Sequence, residues 1–125
     1  MQISQKLDLL MRLGEARGLP VSYRALSAAT GESANNIRKI HVGLNTNPGF
    51  RILSALTSYF GTDLGYFQCK SPTACRDYLE RSLRERLIQR LERGSQGLSE
   101  EALDFIAGLM DYVRRAEGLP PIANT

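Results

Sequence analysis

The sequence predicts an all-α protein, and three observations predict it. Apolar residues recur at spacings of three and four in several windows: Ile3, Leu7, Leu10 and Leu13, then Ile37 and Ile40, then Leu79, Leu83, Leu87 and Leu91. Residues that favour a helix start stand just before several helical windows, at Ser22, Ser33, Asp63 and Ser99. Glycines follow where helices should stop, at Gly18, Gly31, Gly43, Gly61 and Gly118. Together these divide the 125 residues into an N-terminal domain of five helices, 1–67, a linker, 68–73, and a C-terminal two-helix hairpin, 74–125.

The first helix, 2–17, carries Leu9, Met11 and Ala16 beside its main stripe, and Pro20 follows it as a stop. The second begins after Ser22, with Tyr23 and Arg24 in its first turn and with Leu26 and Ala29 able to face a core. Gly31 takes the left-handed conformation that ends it, and Ser33 caps the third helix, Ala34 to about Val42. Ile37 and Ile40 share one buried face of that helix. Asn35, Asn36, Arg38 and Lys39 occupy the other, with Ala34 at its start. Gly43 closes it, and the loop to Asn47-Pro48 is polar. The fourth helix, Phe50 to Phe60, places Phe50, Leu53, Leu56 and Phe60 on one stripe. Asp63 caps a short fifth helix whose Leu64, Tyr66 and Phe67 return to the core.

Residues 68–73, QCKSPT, lack periodicity and read as a hinge. A long helix from about Ala74 to Arg93 follows, its leucine stripe flanked by interleaved arginines and acids, with weak surface pairs such as Glu80–Arg84 expected. Gly94 to Gly97 turns the chain, and Ser99, Glu100 and Glu101 start a last helix running to about Glu117. Its apolar face holds Ala102, Ile106, Leu109, Met110 and Val113. A hairpin this apolar cannot bury itself alone, so it is expected to fold on the N-terminal domain or on a second copy, through a face that holds Leu83, Leu87, Leu91, Ile106, Leu109, Met110 and Val113.

Net charge is +3, and all of the excess lies in residues 1–67, while residues 68–125 balance. The charge sits with the third helix, which suits a polyanion. On that helix an asparagine can pair with adenine, an arginine with guanine, and an alanine can touch a thymine methyl. No catalytic residues are expected: there is no glycine-rich phosphate loop, metal-ligand cluster or nucleophile spaced from a base. No cofactor, metal or small-molecule ligand is expected either. Cys69 and Cys75 do not have the spacing of a zinc ribbon or thioredoxin motif, and reduced thiols are expected. His41 reads as a surface residue at a helix end. No apolar run could span a bilayer, and the N-terminus has no signal-peptide pattern, so a cytoplasmic location is expected.

Leu26, Gly31, Ser33, Ile37, Ile40, Gly43 and Asn47-Pro48 also carry a resemblance. Residues 22–67 resemble the lambda-repressor-like (Xre-type) helix-turn-helix family, departing from its usual pattern at Ser27, Glu32 and Val42. The TNP loop, the aromatic ending GYF and the run RRAEG are similar to EspR-type nucleoid-associated transcriptional regulators. The resemblance implies a homodimer that binds double-stranded DNA with the helix 34–42 in the major groove. Ala34, Asn35 and Arg38 would then face bases, and Ser22, Tyr23, Arg24, Asn36, Lys39, Asn45 and Thr46 would contact the backbone. The alternative is a protein-interaction module or antitoxin of the same fold, whose main role is toxin neutralisation.

Overall fold

A helix whose apolar residues fall on one side must find a surface for that side, and α1 (Ile3–Ala16) does so with Leu7 and Leu10, both fully buried. In the computed structural model, which describes residues 1–122, the remaining helices are α2 (Tyr23–Thr30), α3 (Ala34–His41), α4 (Phe50–Phe60), a short 3₁₀ helix (Leu64–Gln68), α5 (Pro72–Ser95) and α6 (Glu100–Ala116). The fold is all-helical, with no strand among the described residues. Among those residues no helix is long and apolar enough to cross a membrane.

The local start and stop signals act as chemistry dictates. The Ser22, Ser33 and Ser99 hydroxyls accept from the backbone N–H of Ala25, Asn36 and Ala102, each at 3.1 Å. Asp63 accepts from the Gly65 N–H at 2.9 Å and so opens the 3₁₀ helix. Gly31, between α2 and α3, has φ +75°, where a side chain would be strained.

The chain forms two units, Met1–Leu87 and Ile88–Thr125, the boundary falling inside α5. The first has a continuous core of Leu7, Leu10, Leu26, Ile37, Ile40, Leu56, Phe60, Tyr66, Cys75 and Leu79. Close approach of α1 and α4 depends on Gly14, where a Cβ would collide with the Phe60 ring. Tyr66 donates to the Lys6 carbonyl at 2.6 Å, and the Lys6 ammonium donates to the Phe67 carbonyl at 2.6 Å, which satisfies two buried polar groups. Burial pushes the Tyr66 phenol well above its ordinary range.

The first half of α5 belongs to this unit. Ser71 caps it by accepting from Ala74 N–H, and Pro72 occupies its first turn, where a missing N–H costs nothing. Cys75 and Leu79 enter the core. Leu83 covers Gly61, where a Cβ would meet it at 2.8 Å. Thr62 and Ser82 share a hydrogen bond of 2.7 Å, and Tyr78 donates to the Asp63 carboxylate, a bond that raises the phenol's pKa.

Several expectations change here. The segment 68–73 is anchored: Cys69 is buried, α5 begins inside the segment, and Cys69 is joined to Cys75 by a disulfide, Cα–Cα 5.2 Å, in place of the expected thiols. The first unit runs past residue 67 to Leu87. Ala29 and Phe50, expected in the core, are exposed, Phe50 by 72%. Phe50 opens α4, one turn short of the position at which Leu53 reaches the interior. The Glu80–Arg84 pair does not form; the carboxylate–guanidinium pair among the described residues is Asp8 with Arg12, and Asp8 also hydrogen-bonds His41.

In the second unit α6 follows the turn at Gly97, and no residue from 88 to 122 is buried. Its polar contacts are local: Arg114 donates to the Pro120 carbonyl at 2.6 Å, and Ile122 N–H to Asp111 at 2.8 Å. Residues 123–125, which the expected C-terminal region included, lie outside the described residues.

Candidate nucleic-acid interface

α3 has only eight residues, too few to be stable as an isolated helix, so packing must hold it. α1 and α2 both pack against it, and Ile37 and Ile40 are fully buried there. With those two side chains fixed, helical geometry turns Asn35, Asn36, Arg38 and Lys39 outward, and all four are exposed. Ala34, at the start of α3, is half-buried. Two hydrogen bonds brace the turn before α3. Thr30 donates its hydroxyl to the Leu26 carbonyl at 2.7 Å and accepts from Glu32 N–H at 3.2 Å. These bonds satisfy the backbone between the helices and fix the angle at which α3 leaves α2.

Two of the expected base-facing side chains meet. Arg38 directs Nε and Nη2 at the Asn35 carbonyl oxygen, each at 3.4 Å. The contact is long and solvent-exposed, so it holds the two groups side by side at little cost to release. A guanidinium fork and an amide thus stand on one patch of helix. Their hydrogen-bonding groups match the edges of guanine and adenine in a major groove.

Of the other expected contacts, Ser22, Arg24, Asn45 and Thr46 are exposed, and Ser22 is also the cap of α2. Asn45 and Thr46 line an open cleft of about 320 Å³ with Met1 and Gln2 before α1, Ile3 and Ser4 in its first turn, and Gly43. Asn45 accepts from Asn47 N–H at 3.1 Å through its side-chain oxygen, which shapes the loop. Gly43, at φ +84°, makes the sharp exit from α3.

Tyr23 differs from expectation. Its hydroxyl is 2.6 Å from His41 Nδ1, and His41 Nε2 is 2.8 Å from Asp8, which in turn pairs with Arg12 at 2.8 Å. His41 is therefore no free helix-end residue; it ties the last turn of α3 to α1 and α2. Sequence reasoning passed over Asp8, Arg12 and His41 as a group. One signal was present: His41 follows Ile37 by one helical turn and so shares its inward face.

Of the expected dimer residues, Leu83 is half-buried against the first unit's core. Leu87, Leu91, Ile106, Leu109, Met110 and Val113 are exposed. Among the described residues no cluster of three or more His, Cys, Asp or Glu side chains could hold a metal ion. Compared with family models, curated proteins and solved structures, the chain matches none.

Proposed function

We propose that the protein is a dimeric, sequence-preferring DNA-binding protein that acts as a transcriptional regulator or nucleoid-associated protein. In this reading α2 and α3 form a helix-turn-helix of the lambda-repressor-like kind, and α3 lies in the major groove. The observation that carries it is the two-faced character of α3: Ile37 and Ile40 fully buried, Asn35, Asn36, Arg38 and Lys39 outside. The confinement of the +3 net charge to residues 1–67 supports the same reading. Asn35 and Arg38 read bases, with Ala34 beside them. Ser22, Arg24, Asn36, Lys39, Asn45 and Thr46 hold phosphates, and Tyr23 joins them under the condition derived below.

The dimer forms through the second unit. Phe105, Leu109, Met110 and Tyr112 are each about half exposed or more, and a surface of that kind needs a cover. Two copies place two α3 helices on half-sites about 34 Å apart, one duplex turn.

The test is a titration of labelled duplex with the protein at several salt concentrations, with light scattering alongside. Affinity falls steeply as salt rises, because phosphate contacts release counterions. Replacing Asn35 or Arg38 by Ala relaxes sequence preference by about 1–3 kcal/mol per lost base pairing and leaves the salt slope nearly unchanged. Unchanged preference in both variants removes them as base readers. Salt-independent or absent binding favours a protein-interaction module or antitoxin, and a monomeric full-length chain overturns the dimer.

A further inference from the structure

We propose that the Asp8–His41–Tyr23 relay makes phosphate binding by Tyr23 depend on the protonation of His41. This rests on the DNA-binding reading above and adds a regulation to it.

The argument begins with the hydrogens. Asp8 can only accept, so His41 must donate to it from Nε2, at 2.8 Å. A neutral imidazole carries one N–H, so Nδ1 is then bare. The Tyr23 hydroxyl, 2.6 Å away, must donate to it. In that state the phenol has spent its only proton inside the protein. It presents lone pairs outward, and lone pairs repel a phosphate. Protonation reverses the second bond. Imidazolium donates from both nitrogens, to Asp8 and to the Tyr23 oxygen. The phenolic proton then swings away from the ring and can be given to a phosphate oxygen. One proton taken from solvent converts Tyr23 from an acceptor into a donor at the start of α2.

The surroundings keep the relay in register. Two helices pack against α3. From α1, Asp8 faces the imidazole, with Arg12 paired behind it at 2.8 Å. From α2 the facing group is Tyr23, whose ring also meets the imidazole edge-on at 5.6 Å. On α3 itself, the neighbouring charged groups are Arg38 and Lys39, both exposed. The His41 side chain is 21% exposed, enough for solvent protons to reach it but not enough for the ring to turn freely.

The test compares wild type, Tyr23→Phe and His41→Phe on a labelled random-sequence duplex at fixed salt, at about pH 8 and about pH 5.5. Wild type binds more tightly at the lower pH. Tyr23→Phe falls further behind wild type at the lower pH than at the higher, by on the order of threefold to tenfold, the worth of one hydrogen bond to a phosphate. His41→Phe frees the hydroxyl at both and loses most of the pH dependence. Parallel pH profiles for wild type and Tyr23→Phe overturn the proposal while leaving DNA binding intact. Absence of binding by every variant at either pH overturns the DNA-binding reading and this one with it. A readout without DNA stands beside these: nitrogen chemical shifts of the imidazole at high pH show the proton on Nε2, and a proton on Nδ1 overturns the relay whether or not the variants fold.

Discussion

Leu79 and Leu91 lie on the same helix and in the same four-residue repeat, yet one is 3% exposed and the other 67%. The contrast extends to the two units they belong to. Met1–Leu87 closes a core around Leu10, Ile37, Leu56 and Phe60, with its buried hydroxyls and ammonium paired. In the unit that begins at Ile88, no residue through 122 is buried, although α6 is as amphipathic to the eye as α1. Periodicity states which face of a helix is apolar. It does not state what covers that face, and the two units answer the second question differently. The first closes a core within one chain, and the second leaves every residue from 88 to 122 at least partly exposed.

The sharpest way to break this contrast is an aromatic truncation in each unit. Phe60→Ala removes a fully buried ring from the α1–α4 contact at Gly14 and lowers stability by about 3–5 kcal/mol. Phe105→Ala removes a ring that is 75% exposed and changes the stability of the monomer by less than about 0.5 kcal/mol. Urea unfolding measures both, at a concentration low enough to hold the chain monomeric. Equal losses show that α6 is buried in the monomer and erase the contrast.

A closer comparison uses one helix. Leu79→Ala costs about 2–4 kcal/mol, since Leu79 lies in the core, while Leu91→Ala costs almost nothing in the monomer. Raising the protein concentration brings the Leu91 variant's deficit into view if a second copy covers α5. A deficit independent of concentration assigns that cover to the same chain.

The disulfide sharpens the boundary. Cys69 and Cys75 close a short loop, with a sequence separation of 6, that fixes the start of α5 to the end of the 3₁₀ helix. A loop of that length restricts the unfolded chain by roughly 2 kcal/mol. Unfolding of the first unit therefore shifts by that amount in reductant. Hydrogen exchange identifies the first turns of α5 as the region that loosens, while amides of α6 keep their rates. Loosening of α6 as well shows that the two units are coupled.

What the sequence made legible was local chemistry. Ser22, Ser33, Asp63 and Ser99 cap the helices they precede, and α4 spans the residues read for it, because a cap or a glycine stop acts within one turn of chain. The split of α3 into a buried isoleucine pair and a polar face was legible for the same reason. What escaped depends on distance through space. Gly14 reads as a weak spot in a helix until the Phe60 ring is seen against it. Cys69 and Cys75 read as unpaired until the turn into α5 brings their Cα atoms to 5.2 Å. Asp8, Tyr23 and His41 come from three helices, and no spacing rule joins them. Within the candidate site, the residues on α3 could be read from its own periodicity, and the relay behind it could not.

The smallest effect, and the most specific to the closed unit, concerns Tyr66. Its phenol is fully buried and donates to the Lys6 carbonyl at 2.6 Å, whereas the tyrosine of the second unit, Tyr112, is 68% exposed. Ionisation would place a charge in the core and surrender that bond, which is why burial drives the folded pKa upward. The sign of the linkage follows. An unfolded tyrosine ionises near pH 10, so the contribution is intact below about pH 10 and is lost progressively as pH rises above it. Tyr66→Phe removes the hydroxyl and the Lys6 bond together, costs about 1 kcal/mol at neutral pH, and flattens the alkaline decline. Urea midpoints measured for both proteins from neutral pH to about pH 11 test this. Parallel alkaline declines in wild type and variant would mean that water reaches the phenol and that the first unit is less tightly closed than its packing indicates.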